Sequence, residues 1–284
     1  MIRKLHQDRT INEQWALLVS KSTTPLDLHH LGRFTKLLPP PDRYWSDPFL
    51  VKHANRHYIF IEERLYQQGR GRIACMQVTE QGHYSPPITV LERPYSLSYP
   101  FIFRYLDQYY LIPESAESGQ VELYRCTRFP DQWVLEHVVM QDVSAFDTTM
   151  FEHQGRWWLM QSRITHPHSN PSASLYLFYA ASPLSREWIA HPHNPIVTEA
   201  DRARPAGRLF HWEGKLYRPS QNCAGTEGRG INLNEITTLN PQHYQEHAVV
   251  RCIPEGRHQL GGIRTLAFNN DITVLDGLHL HART

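Results

Sequence analysis

The chain lacks an excess of charge of either sign and has no cluster of basic residues. Its 284 residues include 29 Lys and Arg against 28 Asp and Glu, so the formal net charge is only +1. Nucleic acids and anionic membranes are bound through clustered positive charge, so neither is expected as a partner. No apolar stretch is long enough to span a bilayer, and none follows the basic residues near Met1. We therefore predict a cytoplasmic protein without a secretory signal or membrane span.

Cysteine is scarce, and its spacing excludes the common zinc and redox motifs. The four cysteines lie far apart without a Cys-x-x-Cys pair, at Cys75, Cys126, Cys223 and Cys252. We interpret them as buried free thiols rather than as disulfides or zinc ligands. The 18 histidines include three His-x-His pairs, which are His166/His168, His191/His193 and His279/His281. Two of these pairs enclose a proline and are expected in solvated loops, so we predict no metal site and no cofactor.

A helical apolar period is missing, whereas residues that favour strands are abundant. No long segment repeats apolar residues at the 3.6-residue spacing of a helix. The chain has 7 Trp, 14 Tyr and 11 Phe, which suit strands and also suit stacking on sugars. Hydrophobic residues make up 40% and charged residues 20%, as in globular proteins, and the length is consistent with one closed β domain.

One block of two short strands joined by a turn recurs five times. Its first copy reads Asp47-Pro48-Phe49-Leu50 and then Tyr58-Ile59-Phe60-Ile61-Glu62. Aligned copies begin at Tyr99, Asp147, Ala206 and Gly262, a period of about 50 residues. Radial repetition of short strands at such a period is typical of β-propellers. The sequence therefore predicts an all-β, five-bladed propeller that forms a single domain over residues 1–284.

The predicted blades lie near residues 45–93, 97–142, 145–197, 203–252 and 258–281. The fifth copy runs out of chain after His281, whereas an unassigned strand, Trp15-Ala16-Leu17-Leu18-Val19, lies at the other end. We predict that the segment 14–38 completes the last blade and closes the ring, because closure removes open sheet edges.

The residues that open each block differ in chemistry, although the apolar core positions are alike. In a propeller the first strand of each blade lines the central channel, so the opening residues meet at one mouth. They are Asp47, Tyr99, Asp147, Ala206 with Arg204 and Arg208, and Gly262 with His258. The second strands end at Glu62 and Glu63, Glu114, Ser162, and Arg218 with Gln221. The sequence thus predicts a ring of carboxylates and arginines around the channel.

Such a ring suits glycosidic-bond chemistry, in which two carboxylates on opposite sides of a sugar act as acid and base. Arginines in the same pocket suit a phosphate or carboxylate on the substrate. A structural interpretation stays open, because carboxylates near strand ends often pair with arginines, as Arg204 could with Asp147. Glu62 and Glu63 alternate faces, so only one of them can face the channel.

These residues resemble a known family. The motifs are Trp45-Ser46-Asp47-Pro48-Phe49, Ile112-Pro113-Glu114-Ser115, Phe146-Asp147-Thr148-Thr149-Met150-Phe151-Glu152-His153, Ala203-Arg204-Pro205-Ala206-Gly207-Arg208 and Arg218-Pro219-Ser220-Gln221-Asn222. As a set, from about Trp15 to Leu275, they are similar to the N-terminal five-bladed domain of glucosamine inositolphosphorylceramide transferases and its bacterial relatives. The plant members carry a separate transferase domain that this sequence does not contain.

More distantly, the architecture resembles five-bladed glycoside hydrolases such as arabinanases, xylosidases and fructosidases. That resemblance implies that Asp47 matches their first-blade aspartate and Asp147 a further aspartate in a later blade. In arabinanase-like enzymes the general acid is a glutamate of a later blade, and the fourth-blade motif here has no glutamate at a matching place. Glu114 of the second blade is the substitute that we would test.

We therefore predict a carbohydrate-active propeller that hydrolyses or transfers a glycosidic bond of an anionic or phosphorylated glycan. Asp47 is predicted as the base and Glu114 as the acid, while Asp147 positions the sugar or tunes a neighbouring pKa. Predicted substrate-binding residues are Trp45, Glu63, Tyr99, Arg204, Arg208, Arg218, Gln221 and His258, with Trp45 and Tyr99 for stacking and Arg204 and Arg208 for the anion.

Two alternatives stay open beside this prediction. One is a non-catalytic module that binds a glycan or nucleotide sugar for a partner glycosyltransferase. The other is a structural platform for protein partners. For the carbohydrate-active enzyme and for the binding module, the expected ligand is a carbohydrate or sugar phosphate.

Overall fold

Five four-stranded antiparallel sheets form the part of the chain that the computed structural model describes, which is residues 11–21, 24, 25, 28, 30–165, 170, 172–225, 228–254 and 256–282. In chain order the strands are β1 (Ile11–Lys21), β2 (Thr35–Leu37), β3 (Arg43–His53), β4 (Arg56–Leu65), β5 (Gly71–Val78), β6 (Ile88–Leu91), β7 (Ser98–Tyr105), β8 (Gln108–Glu114), β9 (Val121–Arg128), β10 (Gln132–Met140), β11 (Ser144–His153), β12 (Arg156–Ile164), β13 (Leu175–Ala180), β14 (Ile189–Ala190), β15 (Phe210–Trp212), β16 (Lys215–Asn222), β17 (Gly230–Leu239), β18 (Tyr244–Cys252), β19 (Leu260–Phe268) and β20 (Ile272–Ala282). Single-turn 3-10 helices cover Leu31–Arg33, Ala116–Ser118 and Arg257–Gln259. Within the described residues, none of the helices has the length and apolar character needed to cross a membrane.

The sheets are the blades of a five-bladed propeller, as the sequence predicted. Four of them use consecutive strands, β3 to β6, β7 to β10, β11 to β14 and β15 to β18. The fifth has the order β19-β20-β1-β2, and β1 pairs with β20 over its whole length, from Ile11 opposite Ala282 to Lys21 opposite Ile272. The N-terminal strand therefore completes the last blade, which confirms the predicted closure of the ring.

Apolar side chains fill the space between neighbouring blades. Residues 57–63 of β4 are all buried, because both faces of the sheet are covered. Phe49, Phe60 and Phe101 belong to one buried cluster that joins the first two blades. The four cysteines are buried free thiols, so that prediction is confirmed.

A β-bulge interrupts the first strand of most blades at the same mouth of the ring. In β3 the pairing with β4 jumps from Ser46 to Phe49, and β7 and β11 show the same shift. The bulged residues Asp47, Tyr99 and Asp147 have φ of 51°, 41° and 53°, a left-handed conformation that is costly for residues other than glycine. Bulges re-aim side chains, so strained backbone at this end of the ring sets the direction of all three side chains, and that of Tyr99 turns into the buried interior.

The fifth blade requires a correction to the sequence alignment. The pairing of β19 with β20 is shifted between Leu260 and Gly262 and again between Ile263 and Leu266. Arg264 therefore occupies the bulge, and Gly262, which the alignment had placed there, lies two residues earlier. The alignment rested on the apolar pattern, which two bulges in one strand displace.

Glycine at position 207 allows the fourth and fifth blades to meet at the ring axis. Gly207 has φ of +125°, and a Cβ there would lie 2.1 Å from the carbonyl oxygen of Leu266. The Leu266 N–H donates to the Ala206 carbonyl at 2.8 Å, so the two backbones are in direct contact.

We expect Gly207→Ala to destabilise the fold by roughly 2–4 kcal/mol, because the methyl group adds a backbone clash to an unfavourable φ. Urea denaturation measures the change. The matched control is Gly155→Ala, which has φ of +70° but no atom within 4 Å of the added carbon, and costs about 1–2 kcal/mol. Equal losses in the two variants would contradict the close-approach argument.

Candidate active site

One arginine and three carboxylates form a buried group at the bulged mouth, which we call the Arg264 cluster (Asp47, Glu62, Asp276 and Arg264). The Arg264 Nε lies 3.2 Å from Asp47 Oδ1 and 3.2 Å from Asp276 Oδ2. Its Nη2 lies 3.4 Å from Glu62 Oε2, and the Ser46 hydroxyl donates to the same oxygen at 2.8 Å. A single guanidinium thus contacts three carboxylates from the first and fifth blades, and Glu62 also pairs with Arg64 at 3.1 Å.

Backbone donors hold the carboxylates of this cluster in place. Asp276 accepts hydrogen bonds from the N–H groups of Asp47 at 2.9 Å, Thr265 at 2.7 Å and Arg264 at 3.2 Å. The Thr265 hydroxyl and the Tyr99 N–H donate to Asp47 at 3.1 and 3.3 Å. Burial is the largest influence on the pKa of Asp276 and raises it to about 6 against the opposing charge of Arg264. The cluster ties three blades together and fixes the orientation of Asp47.

A second group, the Arg204 cluster (Glu114, Asp147, Arg204 and Gln221), joins the next three blades. The Arg204 Nε donates to Asp147 Oδ2 at 2.5 Å, and the Gln221 amide donates to the same oxygen at 3.1 Å. The Asp147 N–H donates to Glu114 Oε2 at 3.3 Å, and the Arg204 Nη2 lies 3.9 Å from that oxygen. Glu114 and Asp147, which are distant in sequence, are therefore direct neighbours.

The Glu114 carboxyl has the environment of a proton donor. Burial first, and then the charge of Asp147, raise its pKa well above the usual value, while Arg204 opposes the shift. Asp47 also raises this pKa, so the two clusters act on each other electrostatically. The Glu114 side chain is 15% exposed, against 3% for Asp147 and 6% for Asp47. Among the three predicted catalytic carboxylates, Glu114 is thus the one most open to a ligand.

We expect Glu114→Gln to make the protein more stable at pH 8, by about 1 kcal/mol, as single stabilising substitutions commonly are. The Glu114 pKa is raised in the folded state, so the wild type keeps its full stability below the unfolded pKa of about 4.3 and loses it as pH rises through the folded pKa. Glutamine imitates the protonated form and is insensitive to pH. Urea denaturation at pH 4 and pH 8 should therefore show a gain only at the higher pH. A gain of equal size at both would count against the pKa argument.

Three of the predicted substrate-binding residues lie behind the mouth rather than in it. Trp45 is only 2% exposed, and its Nε1–H donates to Glu63 Oε1 at 3.2 Å. Glu63 also accepts from Arg72 at 2.7 Å, so Glu62 is the glutamate that reaches the channel. The Tyr99 ring is fully buried, and its hydroxyl lies 2.8 Å from the Thr149 hydroxyl. Neither Trp45 nor Tyr99 has a free face for stacking on a sugar.

The remaining predicted residues are dispersed. Arg218 is buried inside the fourth blade and pairs with Glu246 at 2.6 Å. His258 is exposed on the 3-10 turn of the fifth blade, and its carbonyl accepts from Lys36 at 2.9 Å. Arg208 donates to the carbonyl of Ile102 and points away from both clusters. Only Arg204 and Gln221 join the predicted carboxylates.

Three residues of the mouth were missed in the sequence. Arg264 and Asp276 were missed because the repeat alignment of the fifth blade was displaced by two residues in β19. Asp276 is nevertheless visible in the sequence as a lone carboxylate within the apolar run of β20. Trp15 was assigned only to the closing strand. Its half-buried ring lies 4.7 Å from the Arg264 guanidinium, which places an aromatic side chain beside the first cluster.

Among the predicted histidine pairs, His166 and His168 lie outside the described residues. His191 is buried, and its Nε2 lies 3.2 Å from the Asn240 carbonyl. In the ranges that the structure describes, no group of three or more His, Cys, Asp or Glu side chains has the geometry to hold a metal ion.

The fold is similar to that of five-bladed propellers among solved structures, including glycoside hydrolases. A thermostable family-43 glycoside hydrolase superposes with a TM-score of 0.56 and 17% identity over 73% of this chain and 76% of that chain. An exo-1,5-alpha-L-arabinanase from a bovine ruminal metagenomic library superposes with a TM-score of 0.55 and 11% identity over 87% of this chain and 96% of that one. At these identities the likeness shows the shared fold alone.

Sequence comparison identifies the family. Residues 37–274 match the family described as glucosamine inositolphosphorylceramide transferase 1, N-terminal, and the chain belongs to it. The glucosamine inositolphosphorylceramide transferase 1 of Oryza sativa subsp. japonica is 35% identical over 251 residues, covering 84% of this chain and 33% of the relative. That of Arabidopsis thaliana is 32% identical over 235 residues, covering 81% of this chain and 30% of the relative. The chain thus spans about a third of the length of these relatives.

Proposed function

We propose that this propeller acts on a glycosidic bond at the bulged mouth, by hydrolysis or transfer, with Glu114 as the general acid. The observation that carries the proposal is the placement of Glu114, which is partly exposed, adjoins the buried Asp147 and has a raised pKa. A general acid must retain its proton near neutral pH and reach the leaving group. The transferase family and the glycosidase-like fold support a carbohydrate as the ligand.

In this proposal the other two carboxylates have separate roles. Asp147 is held by Arg204 and Gln221, and it orients Glu114 and raises its pKa. Asp47 lies in the opposite cluster, where Thr265 and Arg264 orient its carboxylate, and it is the proposed base. Two carboxylates in different environments across one mouth are the arrangement that acid–base cleavage of a sugar bond requires.

The proposal does not require an anionic substrate. Arg204, one of the two arginines that suggested an anion, is paired with Asp147. The other, Arg208, points away from the carboxylates. For contact with the sugar ring we propose Trp15, which is half-buried beside Arg264, in place of the buried Trp45 and Tyr99.

The test is a search for turnover with matched variants. Purified protein is incubated with oligosaccharides, aryl glycosides and nucleotide sugars, and products are identified by mass spectrometry. Turnover is expected for the wild type and lost in Glu114→Gln and Asp47→Asn. Glu136→Gln, a change to an exposed glutamate that pairs with Arg125, is the control and should keep full activity. Full activity in both site variants would refute the proposal.

A binding module for a glycosyltransferase is the second candidate, and two observations favour it. The relatives that match are transferases three times as long as the matched region. Asp47 is engaged by both Arg264 and Thr265, as in a structural ion pair. In this case the same panel would raise the melting temperature without any product, because binding stabilises the native state by mass action.

A further inference from the structure

Arg208 carries a charge inside the ring without a carboxylate to neutralise it. The buried Arg204, Arg218 and Arg264 all pair with carboxylates. Among the described residues Arg208 pairs with none; it donates to the Ile102 carbonyl and lies 5.1 Å from the Phe101 ring. Burial lowers its pKa to about 10, the direction expected for a cation removed from water without a counter-charge.

The Arg208 side chain lines a cavity of about 220 Å³ between the second, third and fourth blades. Arg104, Glu152 and Trp157 also line it, and they lie at the end of β7 and around the turn between β11 and β12. Since β7 starts beside Tyr99 at the bulged mouth and ends at Tyr105, this cavity opens at the opposite mouth. It is therefore separate from the two carboxylate clusters.

The rim of this cavity is polar and includes Arg104, which pairs with the exposed Asp107 at 2.7 Å. His211 is exposed and lines both this cavity and an adjacent one of about 360 Å³, which His153 and Lys215 also line. The rings of His153 and His211 stack with centroids 6.4 Å apart. Glu152 is the carboxylate among the residues that line the Arg208 cavity, and it is exposed and makes no ion pair with Arg208. In the adjacent cavity Lys215 pairs with Glu235 at 3.0 Å.

We propose that this cavity is a second ligand site, in which the Arg208 guanidinium binds a phosphate-type oxyanion. The planar fork of an arginine matches two oxygens of such an anion, and the anion supplies the counter-charge that the protein does not. The half-buried Trp157 packs 5.7 Å from Phe103 and offers an apolar ring to a group attached to the phosphate. The site is independent of the proposed chemistry at the other mouth.

Inorganic phosphate, compared with chloride at equal ionic strength, is the first probe. We expect phosphate to raise the melting temperature of the wild type. In Arg208→Gln the dissociation constant of phosphate should rise roughly 10- to 100-fold, because a charge-assisted hydrogen-bond donor is lost. Arg128→Gln, which removes an exposed arginine paired with Asp131, is the matched control and should bind phosphate like the wild type. Unchanged phosphate binding in Arg208→Gln overturns the proposal.

A measurement on the wild type covers the case in which Arg208→Gln does not fold. Crystals soaked in tungstate, a heavy oxyanion, should show an anomalous peak at the Arg208 guanidinium. Tungstate bound only elsewhere overturns the site. Glucose 6-phosphate then identifies the source of the anion: tighter binding than phosphate that is lost in Trp157→Ala supports a phosphate ester, and equal binding supports free phosphate.

Discussion

Glu114→Gln is expected to reduce kcat by roughly 10²- to 10⁴-fold while leaving KM nearly unchanged. Glutamine keeps the shape of the carboxyl and can still accept the Asp147 N–H, but it has no proton to give to a leaving group. Steady-state kinetics on a substrate found in the search for turnover measures both constants. Because the same variant should be more stable at neutral pH, the lost activity cannot be assigned to unfolding.

The leaving group of the substrate provides the internal control. The dinitrophenolate of a dinitrophenyl glycoside departs without protonation, so general-acid catalysis contributes little to the cleavage of that substrate. Glu114→Gln should therefore retain most of its activity on that substrate while losing it on an unactivated oligosaccharide. Equal losses on both substrates would show that Glu114 acts by some route other than proton donation.

The architecture of the ring could be predicted because its signals are local. Turn residues and apolar alternation mark each hairpin. The last blade lacked a strand, and the unassigned N-terminal strand Trp15-Ala16-Leu17-Leu18-Val19 supplies it. The prediction lost accuracy in β19, where two bulges displaced the fifth copy and Arg264 took the place assigned to Gly262. A bulge is not encoded in the apolar pattern that defines the repeat, so the pattern alone cannot place it.

The same limit explains which site residues could be predicted. Glu114 and Asp147 stood out because copies of one repeat differed where the fold does not demand it, and the structure makes them neighbours. Trp45 and Tyr99 precede or occupy a bulge, so the face of the strand to which they belong could not be read by simple alternation. Both are buried, and the aromatic ring beside the first cluster is Trp15, from the far end of the chain.

Arg264→Met is expected to destabilise the fold by about 3–5 kcal/mol, the cost of leaving buried carboxylates without their partner. Methionine preserves apolar contact with Trp15, so the effect reports mainly on charge. Urea denaturation measures the loss. The matched control is Arg251→Met, which breaks an exposed pair with Asp201 and should cost no more than about 1 kcal/mol.

The pH dependence of this loss separates charge from packing. Without Arg264, Glu62 keeps only the partly exposed Arg64, at 3.1 Å, and Asp276 keeps no ion-pair partner among the described residues. Both carboxylates, whose pKa values are already raised by burial, then depend more on taking up protons. Folded-state pKa values above the unfolded ones make the folded form bind more protons, so stability is retained at low pH and lost as pH rises through about 6 for Asp276. In the variant these pKa values rise further, and its deficit should be smaller at pH 5 than at pH 8. A deficit of the same size at both pH values would mean that Arg264 stabilises the ring through packing, and that the three carboxylates find other partners when it is gone.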